Sequence, residues 1–252
     1  MKFISFLIVF LISSICFAQN FHMDTLASYK KCRQDFAVKL CRLNPDKYRC
    51  VRFYKDRQKY VTWDEIFGTS GERVKQMVQK VNRRNTLIWI NHCIALPFNL
   101  SKDELEFSPF PKTSADNEKF ITVDLGKLAW GAYKDGRLVK WGVANGGIGK
   151  CKETGKNTCK TPAGEWKIYE IKKGFQRSSL YPVECINKKE CGHPYYNVMK
   201  FGLHGEALHG EKEGHVPGAN ISHGCVRIFK KDSKWLIENF IELGTKVFVE
   251  PY

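Results

Sequence analysis

The residues most able to do chemistry crowd into one stretch, LHGEALHGEKEGHVPGANISHGCVRI, which holds four of the seven histidines and Cys225. Three chemistries compete for it. Imidazole and thiolate together make ordinary tetrahedral zinc sites, but no Cys-x-x-Cys pair and no His-Glu-x-x-His helix supplies a recognised spacing. A cysteine can also be structural, in a disulfide or as a small buried hydrophobe. The third reading is a nucleophile. A thiol attacks as thiolate, and with a free pKa of about 8.5 it needs a histidine to draw off its proton. The acyl oxyanion then needs preorganised donors, usually backbone N–H groups. Gly224 leaves room for such a hole and allows the sharp approach to Cys225.

Cysteine arithmetic separates these readings. The chain has ten cysteines, a usage that indicates an oxidising compartment. Cys16 lies in an N-terminal run, MKFISFLIVFLISSICFAQN, with Lys2 ahead of an uncharged apolar segment from Phe3 to Phe17. That segment falls short of the roughly 18 to 20 apolar residues a span needs and reads as a secretory signal, residues 1–18, cleaved after Ala18. A lipoprotein signal that modifies Cys16 is the alternative, although Ile15 is bulky for one. Cleavage leaves Cys32, Cys41, Cys50, Cys93, Cys151, Cys159, Cys185, Cys191 and Cys225, an odd number. Close pairs at Cys151–Cys159 and Cys185–Cys191 need only short loops, and the four N-terminal cysteines can pair in three ways. Cys225 is left over.

The charge balance, 41 basic against 26 acidic side chains for a net +15, favours an anionic partner. With an export signal, that partner is a bacterial wall polymer rather than nucleic acid; a merely solubilising charge is the alternative. No later run is apolar enough for a stable membrane span once the signal is gone, so the protein is expected outside the cytoplasm, in the periplasm or wall.

The elements that must position the chemistry fall into two parts. Residues 24–100 carry cysteines, charge and a helical stripe: Phe36, Val38, Leu40 and Leu43, then Val74, Met77, Val78 and Val81. Within them YVTWDEIFGTSGERVKQMVQKVNRRNTLIWINHCIALP reads as strand, helix, turn and short strand. This order resembles a LysM module, a small glycan-binding unit; a plain helical accessory domain is the other reading. Residues 101–118 read as a linker. From residue 119 to 252 the period becomes β-like, with Asp135-Gly136 as a hairpin turn, and DSKWLIENFIELG as a late helix with Asp232 as N-cap and Gly244 just past its end. ANGGIGKC fails as a phosphate loop, because Ala144 and Cys151 stand where glycine and Ser or Thr are needed.

His204-Gly205, a loop, and Ser222-His223-Gly224-Cys225-Val226-Arg227 together resemble the signature of the L,D-transpeptidase catalytic domain (YkuD-like). Thr161, Pro162 and Gly164 resemble its Thr-Pro-x-Gly turn, and GTKVFV its closing strand. The loops CKETGKNTC and CINKKEC look like insertions. The resemblance implies an α+β fold, a β-rich sandwich-like catalytic domain after a small, mainly helical, cysteine-containing one. It implies Cys225 as nucleophile and His204 as base, since His209 and His215 stand too close to Ser222 for that place. It further implies the Gly205 carbonyl as the group fixing the His204 tautomer, and Gly224 and Cys225 N–H groups as the oxyanion hole. Ser222, His223 and Arg227 are expected to shape the substrate pocket. The implied reaction is acyl transfer from a peptidoglycan tetrapeptide stem to an amine, a 3-3 cross-link, with no cofactor or metal; glycan strands are a further expected partner of the N-terminal part. Transfer to water, transfer to a wall-anchored protein, and a non-catalytic wall-binding protein are the alternatives.

Overall fold

The computed structural model describes residues 21–25, 32–33, 35–68, 71–151, 158–182, 184 and 191–252. The expected signal, including Cys16, and Cys185 lie outside the described residues. The chain divides into two compact units, Met1–Phe107 and Ser108–Tyr252. Among the described residues no helix is long and apolar enough to cross a membrane.

In the first unit the expected helices form. Helix α1, Phe36–Leu43, starts at Asp35, whose carboxylate accepts the Ala37 N–H at 3.1 Å and buries Ala37, Val38 and Cys41. Such a cap contributes about 1 kcal/mol. Leu43, assigned to the apolar stripe, is the last residue of this helix and is exposed. Helix α2, Trp63–Phe67, opens with a reciprocal Thr62–Glu65 capping box. Helix α3, Glu72–Val81, buries Met77, Val78 and Val81. The mainly helical expectation is incomplete, because β1 (Phe21–Thr25), β2 (Tyr48–Lys55) and β5 (Ile94–Pro97) form an antiparallel sheet in the order β1-β2-β5. The runs were hard to read because β2 carries charge at every third position, Arg49, Arg52 and Lys55, and β5 is short. A second pair, β3 (Tyr60–Val61) with β4 (Ile88–Trp89), brackets α2 and α3. Of the three possible N-terminal pairings the chain uses Cys32–Cys93 and Cys41–Cys50.

The second unit is mostly strands. Strands β6 (Phe120–Asp124), β7 (Ala129–Lys134), β8 (Arg137–Val143), β9 (Gly164–Lys167) and β14 (Lys246–Val249) form a sheet in the order β8-β7-β6-β14-β9. Strands β10 (Glu170–Arg177), β11 (Pro194–Lys200), β12 (Ala207–Glu211) and β13 (Val226–Phe229) form another in that order. Asp135 and Gly136 both have positive φ, 52° and 69°, as the two-residue hairpin between β7 and β8 requires. One core draws Ile121, Val123 and Trp130 from the first sheet, Met199, Leu208 and Val226 from the second, and Leu236 from helix α4 (Lys230–Asn239). Two packed sheets with few helices make an α+β, sandwich-like unit.

Two expectations need adjusting here. Helix α4 is Lys230–Asn239, so Asp232 lies in its first turn, buried, instead of capping it. Residues 108–118 are bonded to the hairpin: Ser114 N–H donates to Gly136 O at 2.8 Å, Leu138 N–H to Lys112 O at 2.9 Å, and Tyr133 Oη to Pro111 O at 2.6 Å.

Candidate active site

Strands β12 and β13 run parallel, pairing Leu208 with Val226 and His209 with Arg227. Side chains alternate along a strand. Leu208 and Val226 point into the core, so His209 and Arg227 share the opposite face, and Glu211 follows two residues after His209. Cys225 stands one step before β13, beside Ala207, whose N–H donates toward its sulfur. From β11, Tyr195 brings its ring to 4.9 Å from that of His209. Among the described cysteines Cys225 alone is outside a disulfide. Cys151 pairs with Cys159, and Cys191 is disulfide-bonded.

Burial sets the resting charges. It pushes the Cys225 thiol up, with Glu206 and Glu211 adding to the effect and the Ala207 N–H and Arg227 opposing it. Burial also drives His209 down to about 4, against the pull of Glu211 and the Gly210 carbonyl. At neutral pH the pair therefore rests as thiol and neutral imidazole, the form in which imidazole accepts a proton. Glu211 is fully buried. Burial alone would raise its pKa, but hydrogen bonds from His193 Nε2 at 3.0 and 3.1 Å, with His209 and Arg227 nearby, hold it below the usual range.

A second layer of backbone fixes the Cys225 loop. Asn145 exchanges two main-chain bonds with Arg227, at 2.9 and 2.8 Å. Ser222 N–H donates to Gly146 O, and Ile148 N–H to Ser222 O. The Thr161 hydroxyl joins the two runs, accepting from Gly147 N–H at 3.0 Å and donating to Gly224 O at 2.8 Å. Tyr252 Oη donates to Gly147 O at 2.7 Å and accepts from Thr161 N–H. A Cβ on Gly147 would come within 1.6 Å of Cys159 O, and one on Gly146 within 2.2 Å of Leu125 Cδ1. The ANGG run, rejected as a phosphate loop, thus serves as the cradle of the Ser-His-Gly-Cys turn. Its paired glycines and its Asn were the signal that sequence reasoning passed over.

The structure distributes the sequence-predicted residues unevenly. Ser222 is buried; its hydroxyl donates to the Cys225 carbonyl and accepts the Gly224 N–H. That bond engages one of the two donors expected for the oxyanion. Gly224 has φ +123°, so its conformational freedom is used. His223 stacks on Tyr181 at 4.0 Å. His204 is exposed in a turn, its N–H bound to Glu206 Oε2 at 3.0 Å, and Gly205 N–H donates to Gly202 O. It is therefore His209, not His204, that shares the sheet face with Cys225. His215 is exposed, its ring 6.4 Å from that of His193. Among the described residues no three His, Cys, Asp or Glu side chains converge as a metal site would need.

Residues 118–249 match the family model of the L,D-transpeptidase catalytic domain, YkuD. The chain belongs to that family, which makes it an acyltransferase by class. An L,D-transpeptidase from Xylanimonas cellulosilytica aligns at TM-score 0.50 and 24% identity, over 69% of this chain and 78% of that one; this supports a shared fold. An L,D-transpeptidase from Mycobacterium smegmatis gives TM-score 0.43 at 18% identity, over 53% of this chain and 59% of that one. One from Stackebrandtia nassauensis gives 0.42 at 22%, over 73% and 67%. No curated protein matches the chain. The disulfides and the family together indicate an extracytoplasmic enzyme.

Proposed function

We propose that the chain is a peptidoglycan L,D-transpeptidase in which Cys225 is the nucleophile and His209 its base. The observation that carries this reading is a free, half-buried thiol on one sheet face with a buried, uncharged imidazole. His209 takes the place expected for His204, and the Gly210 carbonyl beside its ring favours the protonated form. Counting residues back from Ser222 favoured His204 because it assumed a fixed loop length; the strand register favours His209.

The proton of Cys225 passes to His209, and the thiolate attacks the carbonyl of the third stem residue. Collapse of the tetrahedral intermediate breaks the bond to the terminal D-alanine, whose amine takes the proton from His209. An acceptor amine then attacks the thioester, the C–S bond breaks, and the proton released from the amine returns through His209 to sulfur. With Gly224 N–H engaged by Ser222, the Cys225 N–H is the remaining expected oxyanion donor, worth roughly 3 kcal/mol in comparable sites. Arg227, on the face of His209, is placed to meet a stem carboxylate, whereas Ser222 acts through the loop. The tested form is exported to the periplasm or wall, after loss of residues 1–18.

Incubating the purified protein with disaccharide tetrapeptide, with and without an acceptor stem, and weighing the products by mass spectrometry tests this reading. Cross-linked dimer supports it; loss of D-alanine alone makes the protein an L,D-carboxypeptidase. Activity that survives Cys225→Ala, or no product at all, overturns it. For the first unit we propose contact with glycan strands. Tyr60 and Trp89, paired across β3 and β4 with rings 5.7 Å apart, are both nearly half exposed, as sugar-stacking rings need to be. Sedimentation with purified glycan that is unchanged by Trp89→Ala would remove that reading.

A further inference from the structure

The carboxylate of Glu211 is the most deeply buried charge on the face that holds Cys225 and His209. A carboxylate is expensive to bury unless it is paired, and this one is held at both oxygens by His193 Nε2. It follows His209 by two residues on the same strand, so the two side chains project together. Its Oε1 lies 3.4 Å from His209 Nδ1 and 3.6 Å from Arg227 Nε. Nδ1 itself is buried and makes no well-formed hydrogen bond. That atom faces the carboxylate, which leaves Nε2 as the ring nitrogen able to receive a proton.

We infer that Glu211 is a positioning residue for His209, its His193-clamped carboxylate turning Nδ1 toward itself and compensating the imidazolium formed when the Cys225 proton arrives. The inference rests on His209 being the base. Apart from the Gly210 carbonyl, Glu211 is what favours an imidazolium here, because Arg227 on β13 and His193 ahead of β11 add no negative charge, and His215 lies beyond His193. Tyr195 on β11 packs against the imidazole, and Glu206 acts on the thiol. No bond is made or broken at Glu211: the proton moves only between sulfur, His209 and the departing amine.

The test reads the thiol without any substrate. The rate of Cys225 alkylation by iodoacetamide is followed by intact mass from pH 5 to 9 in the full chain, with Cys225→Ala as blank. Wild type should show a histidine-assisted limb below the titration of a lone thiol, and His209→Ala should lose it. Glu211→Gln should lose about tenfold or more of that limb, and Glu211→Asp should recover part of it. An unchanged limb in Glu211→Gln, whatever its melting temperature, reduces Glu211 to a structural role and overturns the inference. Should Glu211→Gln fail to fold, His193→Leu carries the test, since His193 is partly exposed and its loss unclamps the carboxylate; the limb should then fall, and an unchanged limb again overturns the inference. A limb that survives His209→Ala removes the base and this inference together. Normal alkylation profiles in a protein that leaves tetrapeptide untouched would instead sink the proposed reaction and spare the role of Glu211.

Discussion

His92 in the first unit and His209 in the second are both buried imidazoles pushed down to about 4, chiefly by burial. They differ in the neighbour at Nδ1. At His92 that atom lies 2.7 Å from Arg84 Nη1. A guanidinium only donates, so Nδ1 must accept, and a second proton on the ring would cost that bond and face a like charge. At His209 the neighbour is the Glu211 carboxylate, so a proton gained on the far nitrogen meets an opposite charge. Equal depression of basicity thus goes with a structural group in one unit and, on the function proposed above, with a base in the other. The sign of the neighbouring charge, and not the shift, separates them.

The comparison can be broken most sharply at His209. Replacing it with Ala should lower kcat/KM on tetrapeptide substrate by roughly 10³-fold, while the far-UV spectrum stays native. His92→Leu should do the reverse: turnover unchanged, and stability in urea lower by about 1–3 kcal/mol because Arg84 loses a buried acceptor. A drop in turnover matching that of His209→Ala would end the distinction. Acid should unsettle both sites. Between about 6.5 and 4 the unfolded chain binds protons that His92 and His209 refuse in the fold. Stability is therefore complete above 6.5 and falls as pH drops through that window, by up to roughly 3 kcal/mol for each histidine. Urea melts of wild type and His92→Gln at pH 7, 5.5 and 4 check this; an equal acid response in the two would remove His92 from the account. The smallest effect belongs to His204→Ala, an exposed turn residue, which should change kcat/KM by less than about threefold. A hundredfold loss there would return the base to His204.

The parts legible in the sequence were those written in local chemistry. The Asp135-Gly136 hairpin, the Cys151–Cys159 loop and the Ser-His-Gly-Cys turn each lie within a few residues, where turn geometry and cysteine spacing are informative. The illegible parts depend on pairing between distant strands. Nothing local distinguishes His204-Gly205 from His209-Gly210; only the register of β12 on β13 lifts one of them to the face of Cys225. A clue was available in ALHGE, where Leu208 between Ala207 and His209 suits a half-buried strand next to CVRIF. The family resemblance implied the Gly224 N–H as an oxyanion donor, yet here it donates to the Ser222 hydroxyl two residues back. In the first unit, α1 and α3 announced themselves by period, whereas β1, β2 and β5 carry charge or are too short to do so.

The parallel pairing of β12 with β13 has a consequence for how reactivity arises. Neighbouring parallel strands cannot be joined by a tight turn, so the segment from residue 212 to 225 must first travel the length of the strand and dock on the ANGG run. Until it does, sulfur and imidazole are two remote groups on a loose polymer, each with its solution acidity. On the function proposed above, docking of that segment is what brings the thiol to its base, and a time course of Cys225 labelling by iodoacetamide during refolding would follow the change from a free thiol to a histidine-assisted one.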